Sequence, residues 1–262
     1  MANRAGISPP GFKEIIMPKT FLVDTSRCTA CRGCQIACKE WHELPANKTT
    51  QVGWGSHQNP QDLNPNNYKL VRFHEHLDNG KVRWNFFPDQ CRHCEVAPCK
   101  ETADMYMEGA ILKDEKTGAV LFTDKTREFT KEVFEEIRDA CPYNIPRRDE
   151  ATGLMSKCTM CNDRIHSGML PACVKACPTG TMMFGDREEM LKLADERLAL
   201  AKKNYPDATL ADPEDVNVIY LLIDKPENYH EFAVASAAGT GMDRKQFLAK
   251  IARPFTRMTE RA

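Results

Sequence analysis

The sequence predicts an α+β fold in which short strands and short helices are wrapped around cysteine loops and followed by a helix–strand–helix extension. Three observations lead there. Twelve cysteines fall in tight runs along a 262-residue chain that is only 42% hydrophobic, a thin supply for cores of that size. Short apolar strands and turn signals alternate with those runs. From Asp186 onward the cysteines stop and helical periodicity takes over. Bound metal would then supply what the core lacks, because the free energy of metal binding is also folding free energy.

Composition excludes several functions. With 36 basic and 37 acidic residues the net charge is −1, so no global field points to nucleic acid or an anionic membrane surface. Asn3 to Lys19 contain no apolar core of a secretory signal. The longest apolar run, Val218 to Ile223, is far too short for a membrane span. There is no Gly-rich nucleotide loop, no nucleophile signature and hence no catalytic site of the chain's own.

Thr20 to Val23 form a short strand that leads into CTACRGCQIAC, where Cys28, Cys31, Cys34 and Cys38 stand at C-x2-C-x2-C-x3-C. This is the bacterial ferredoxin spacing: three thiolates on one tight loop reach three irons of a cubane, and the fourth points to a neighbouring cluster. Zinc sites usually draw on two separated C-x2-C pairs, and cysteines this close suit neither one tetrahedral ion nor disulfides. A zinc-stabilised binding module without redox chemistry is the alternative from another class. Leu44 to Asn67 are polar and rich in Asn, Gln, Pro and Gly, which reads as a long functional or partner-contacting loop without core periodicity.

Lys69–His76 and Lys81–Phe87 alternate apolar and polar residues around Asp78-Asn79-Gly80, a hairpin signal. The next run, CRHCEVAPC, offers Cys91, Cys94 and Cys99, with Ala103 where a fourth cysteine is expected. His93, between loop cysteines, is expected to be a partly exposed histidine rather than a ligand. A second hairpin spans Ala110–Leu112 and Ala119–Phe122. Thr130 caps a helix to about Ala140 with Val133, Phe134 and Ile137 on one face. Cys141-Pro142 follows, in the manner of the last cysteine of a ferredoxin motif.

The last cysteines are the pair Cys158 and Cys161, and the pair Cys173 and Cys177, the latter followed by Pro178. Taken alone, these would pass for a zinc ribbon. Beside the run at Cys28 they read as a second cubane half with an enlarged loop, and twelve thiolates divide into three sets of four. Beyond them, Asp186 with Glu189 reads as a capping box for a helix carrying Met190, Leu191, Ala194 and Leu198. A strand at Val216–Ile223 and a helix near Asp243–Ile251 complete an extension that either packs on the body or docks another subunit.

The segments CTACRGCQIACKEWHELP, CRHCEVAPCKETAD, CPYNIPR and KCTMCNDR, with LPACVKACPTGTMMFGD, resemble the iron–sulfur beta subunits that partner molybdopterin oxidoreductases. Among these, the small subunits of soluble tungsten- or molybdenum-containing formate dehydrogenases are the best match, from about Lys19 to the C-terminus. The resemblance implies two interleaved ferredoxin-like halves. Residues 18–67 with 151–185 would form the first, holding two clusters, residues 68–150 the second, holding one, and residues 186–262 the extension.

The ligand sets it implies are Cys28, Cys31 and Cys34 with Cys177; Cys158, Cys161 and Cys173 with Cys38; and Cys91, Cys94 and Cys99 with Cys141. Three [4Fe–4S] clusters are implied, not the family's usual four, because Ala103, Lys131, Phe134 and Ile137 occupy the places of the missing ligands. Lys131, Phe134, Ile137 and Cys141 repeat the spacing of Cys28 to Cys38 with one cysteine kept.

The implied function is electron transfer between a large molybdopterin-containing subunit, in a heterodimer or larger complex, and an external carrier such as a c-type cytochrome. The partner would interconvert formate and carbon dioxide; a polysulfide or dimethyl sulfoxide reductase is the alternative within the class. The resemblance points to the periplasm, reached on the partner's twin-arginine signal, with the cytoplasm as alternative. Arg27, Arg32, Lys39, Arg92, Lys100, Lys157 and Lys175 flank the motifs, and those that are not merely solvated would favour reduced, more anionic clusters.

Overall fold

The first apolar run of the chain, KTFLVD, forms strand β1 (Lys19–Asp24), buried from Thr20 onward. Buried on both faces, such a run suits the interior of a sheet. In the computed structural model, which describes residues 18–47 and 57–235, β1 lies antiparallel to β8 (Met182–Asp186) and parallel to β10 (Val218–Leu222). The edge strand β9 (Thr209–Ala211) pairs with β10, which completes a four-stranded sheet. Strand alternation sorts the side chains between two cores. Phe21, Val23, Val218, Tyr220 and Leu222 join one that includes Cys34 and Cys173. Leu22, Ile219 and Leu221 join the other, with Cys91 and Cys158.

Around this sheet the cysteine loops are held by small elements. Helix α1 (Gly33–Trp41) follows the first loop, and the hairpin β2 (Leu70–Asp78) and β3 (Lys81–Asp89) leads into the second. Its turn places Asn79 and Gly80 at φ of +50° and +77°, the two left-handed positions that an Asn-Gly hairpin turn requires. Helix α2 (Pro98–Asp104), the hairpin β4 (Ile111–Lys113) and β5 (Val120–Phe122), and helix α3 (Lys131–Asp139) come next. The Thr130 hydroxyl accepts the Val133 N–H at 3.4 Å and so caps α3 as the sequence predicts. The short pair β6 (Arg147–Arg148) and β7 (Met155–Ser156), then α4 (Asn162–His166) and α5 (Ala172–Lys175), carry the last cysteines.

Of the segment after Asp186, β10 lies inside the sheet between β1 and β9. Helix α6 (Arg187–Ala201) covers the second core with Ala194 fully buried, flanked by Met190, Leu191 and Leu198. The expected capping box is absent, since the Asp186 side chain makes no bond to the helix N-terminus. The β1–β8 pairing sets Lys19 opposite Asp186, and the carboxylate pairs with that ammonium instead. The helix expected at 243–251 lies outside the described residues, as does the middle of the long polar loop, 48–56. The described part of that loop does pack: Leu63 is buried, and Asp62 bridges Arg72 and Arg147 at 2.6 Å each.

Candidate iron–sulfur sites

Each C-x2-C loop solves the same local problem, which is to turn the backbone tightly enough for two sulfurs to face one point. In three of the four loops the third residue adopts a left-handed conformation, Ala30, His93 and Met160 having φ of +54°, +48° and +64°, whereas between Cys31 and Cys34 it is the second residue, Arg32, at +61°. In that conformation the amide turns back onto the preceding cysteine. His93 N–H donates to Cys91 Sγ at 3.3 Å, Met160 N–H to Cys158 Sγ at 3.4 Å, and the Ala30 amide likewise bonds Cys28. Such amides stabilise negative sulfur and are one of the means by which proteins tune cluster potentials.

The loops bring remote cysteines together. Cys28, Cys31, Cys34 and Cys177 line one cavity, and Cys91, Cys94, Cys99 and Cys141 line another. Cys38 faces Cys158, Cys173 and Cys161, whose negative charges, after its own burial, push its thiol well above the ordinary value. All twelve cysteines are free thiols. Among the described residues, no three histidine, cysteine or acidic side chains converge on a single-ion site, whereas tetrahedral zinc gathers its thiolates about 2.3 Å from one centre. Four thiols lining one pocket, on a tight loop with one cysteine from a remote segment, fit the ligand set of a [4Fe–4S] group.

Charge points the same way. Burial raises the thiols of Cys28 and Cys141 to about 11 and those of Cys99 and Cys158 to about 12. Thiolates there need a counter-charge that iron supplies on binding. Cys177 is the exception: burial opposes it, but the Met182 N–H and the Thr179 hydroxyl hold its thiol below the ordinary value.

Phe134 and Ile137 of α3 pack in one apolar cluster with Ala103 and Cys99 of α2, and Ala103 and Ile137 are fully buried. The positions that depart from the ferredoxin spacing are thus filled by buried apolar side chains, apart from Lys131, which is exposed at the helix start.

His93 differs from expectation. It is completely buried, and its Nδ1 accepts the Val120 N–H at 3.0 Å. The loop turns the ring inward to fasten β5, which no sequence signal announces. Of the basic residues flanking the motifs, Arg92 and Lys157 are buried and Lys175 is exposed. Lys100 pairs with Asp104. A further buried cation, Lys69, went unremarked in the sequence because it stands far from any cysteine run.

A family model described as a 4Fe-4S dicluster domain matches residues 82–187. The chain is 60% identical over 218 residues to formate dehydrogenase 2 subunit beta (cytochrome c-553) of Nitratidesulfovibrio vulgaris, covering 83% of this chain and 99% of that one. The chain belongs to the formate dehydrogenase beta, or iron–sulfur, subunit family. The beta subunit of Megalodesulfovibrio gigas formate dehydrogenase is 55% identical over 84% of this chain and 100% of its own. The iron–sulfur subunit of the nitrate-inducible formate dehydrogenase of Escherichia coli is 38% identical over 80% and 70%. As a member of this family the chain is an electron-transfer iron–sulfur subunit of formate dehydrogenase with an α+β, ferredoxin-like 4Fe-4S fold. No helix among the described residues is long and apolar enough to cross a membrane.

Proposed function

We propose that this subunit holds three [4Fe–4S] clusters and relays electrons between a catalytic subunit with pterin-bound tungsten or molybdenum and an external cytochrome. The ligands would be Cys28, Cys31, Cys34 and Cys177; Cys38, Cys158, Cys161 and Cys173; and Cys91, Cys94, Cys99 and Cys141. Each cluster, when bound, supplies one-electron transfer. The chain's own residues provide twelve thiolates, the amides that turn onto them and a largely apolar shell that limits water.

The observation that carries this reading is the spatial order of the cysteine sets. The charge of Cys34 acts on Cys173, and that of Cys91 on Cys158, so the second set adjoins both others. This supports a linear relay with the second set in the middle. The count of three is supported by the packing of Ala103, Phe134 and Ile137, which leaves the missing station at the end beyond Cys99 and Cys141. The third site would then face the external acceptor. A cytochrome in that role is suggested by the name of the Nitratidesulfovibrio vulgaris relative.

Iron in the co-purified complex, less that of the catalytic subunit alone, should come to about 12 atoms per chain, four for each cluster. About 16 would overturn the count, and zinc in place of iron would overturn the class. The identity of the large subunit separates formate dehydrogenase from a polysulfide or dimethyl sulfoxide reductase. We also propose a periplasmic location, reached by export with the partner. Cells whose partner lacks its signal should keep this chain in the cytoplasm, and its appearance outside would refute the carried-along route.

A further inference from the structure

Lys69 stands immediately before β2 and is 2% exposed. Its ammonium donates to the Pro88 carbonyl at 3.2 Å and to the Gln90 side-chain carbonyl at 2.5 Å. Both acceptors are neutral, and among the described residues no carboxylate forms an ion pair with it. The buried arginines are paired: Arg92 with Asp89 at 2.8 Å, Arg72 with Asp89 at 2.7 Å, and Arg147 with Asp62; Lys157, beside the third cysteine set, donates to the Val120 and Cys158 carbonyls and, like Lys69, has no ion-paired carboxylate among the described residues. A buried ammonium without a counter-ion is too costly to retain unless negative charge lies elsewhere.

The surroundings of Lys69 show where that charge is. Pro88, which it holds, lines the cavity of Cys28, Cys31, Cys34 and Cys177, as does Val71 two residues along the chain. On the other side, the Tyr68 ring lies tilted beside that of His42, with centroids 5.5 Å apart, and packs in the core that contains Cys158. Lys69 therefore lies between the first and second cysteine sets. Its charge acts on Cys28 and Cys34 of the first and on Cys38, Cys161 and Cys173 of the second. Burial alone would lower its own pKa, but the thiolates of Cys34 and Cys173 outweigh burial and hold it above the ordinary lysine value. The third set has other cations, Lys157 acting on Cys99 and Arg92 on Cys94 and Cys141.

We propose that Lys69 is the shared counter-ion of the first and second cluster sites, a positioning charge that raises the reduction potentials of both and leaves the third nearly unchanged. A cluster gains one negative charge on reduction, so a fixed cation beside it stabilises the reduced form more than the oxidised one. One charge placed between two sites moves them together and keeps the step between them level. The inference rests on the reading that these cysteine sets hold [4Fe–4S] clusters.

The test is an EPR-monitored redox titration of the anaerobically purified complex carrying Lys69→Met, Gln90→Glu or Lys69→Arg. Lys69→Met removes the charge with little change in volume. Gln90→Glu neutralises the charge in place. Both should shift the reduced-to-oxidised ratio of two clusters about tenfold toward oxidised at fixed potential, about 59 mV for a one-electron couple, while the third stays put. Lys69→Arg keeps the charge and should stay within about twofold of wild type by the same measure.

Loss of iron from two sites in both neutralised variants, with Lys69→Arg intact, would equally support a required charge. Intact clusters with unmoved potentials, a common shift of all three, or iron loss in Lys69→Arg as well would overturn the proposal. Absence of cluster signals from the wild-type complex would overturn the cluster reading beneath it instead.

Discussion

The backbone N–H of Val120 donates to Nδ1 of His93 at 3.0 Å, so this imidazole carries its proton on Nε2 and ties the second cysteine loop to β5. Burial first, and then the charges of Lys157 and Lys113, push its pKa well below the ordinary histidine value. The ring is therefore a neutral structural link standing between Cys91 and Cys94.

Replacing His93 with leucine strands the Val120 amide in the core, at a cost of about 1–3 kcal/mol. His93→Val should be worse, because a β-branched side chain is poorly accommodated at a φ of +48°. Urea-induced bleaching of the absorbance near 400 nm would rank wild type, His93→Leu and His93→Val in that order of resistance. Equal resistance of all three would argue against the tether.

Phe134 and Ile137 fill space beside Ala103, so truncating them opens cavities. Phe134→Ala is expected to cost about 3–5 kcal/mol and Ile137→Ala about 2–5 kcal/mol, read from denaturant midpoints. Ala103→Cys alone should add no iron, since Lys131, Phe134 and Ile137 still offer no ligands. A gain of four irons would contradict the filled-site account.

Asp89 is buried between Arg72 and Arg92. Asp89→Asn leaves both guanidinium groups short of a counter-charge and should destabilise the protein by about 3–5 kcal/mol. Burial acts to raise its pKa, but Arg92 and Arg72 outweigh that and hold the carboxyl at about 2. Its folded value lies below the unfolded one, so its contribution is complete above about pH 4 and is lost as the pH falls through about 2.

His230 governs a milder acid range. Burial first, and then Arg72, bring its pKa down to about 4 from an ordinary value of 6.5. Between those values the unfolded chain binds the proton and the folded one does not, so stability falls as the pH drops from about 6.5 to about 4. His230→Gln should flatten this part of the stability–pH curve and leave the fall below pH 4 in place. An unchanged slope would remove His230 from the account.

Local chemistry alone determined a good deal. Asn79-Gly80 dictates a hairpin turn, Thr130 a helix start, and the apolar run after Lys19 a buried strand, because each depends on neighbours within a few residues. The cysteine spacings marked out the loops and their iron–sulfur chemistry for the same reason. Tertiary structure decided what depends on distant partners. The Asp186 side chain turned to Lys19 only because β1 and β8 lie side by side, and His93 turned inward only because β5 runs past it. Strand β10 entered the middle of the sheet, between β1 and β9, since strand order is a matter of long-range pairing. Lys69 reads in the sequence as an ordinary polar residue at the edge of a hairpin. Its charge matters only because folding buries it between Cys34 and Cys173, 104 residues farther along the chain than Lys69 itself, away from water and without an ion-paired carboxylate among the described residues.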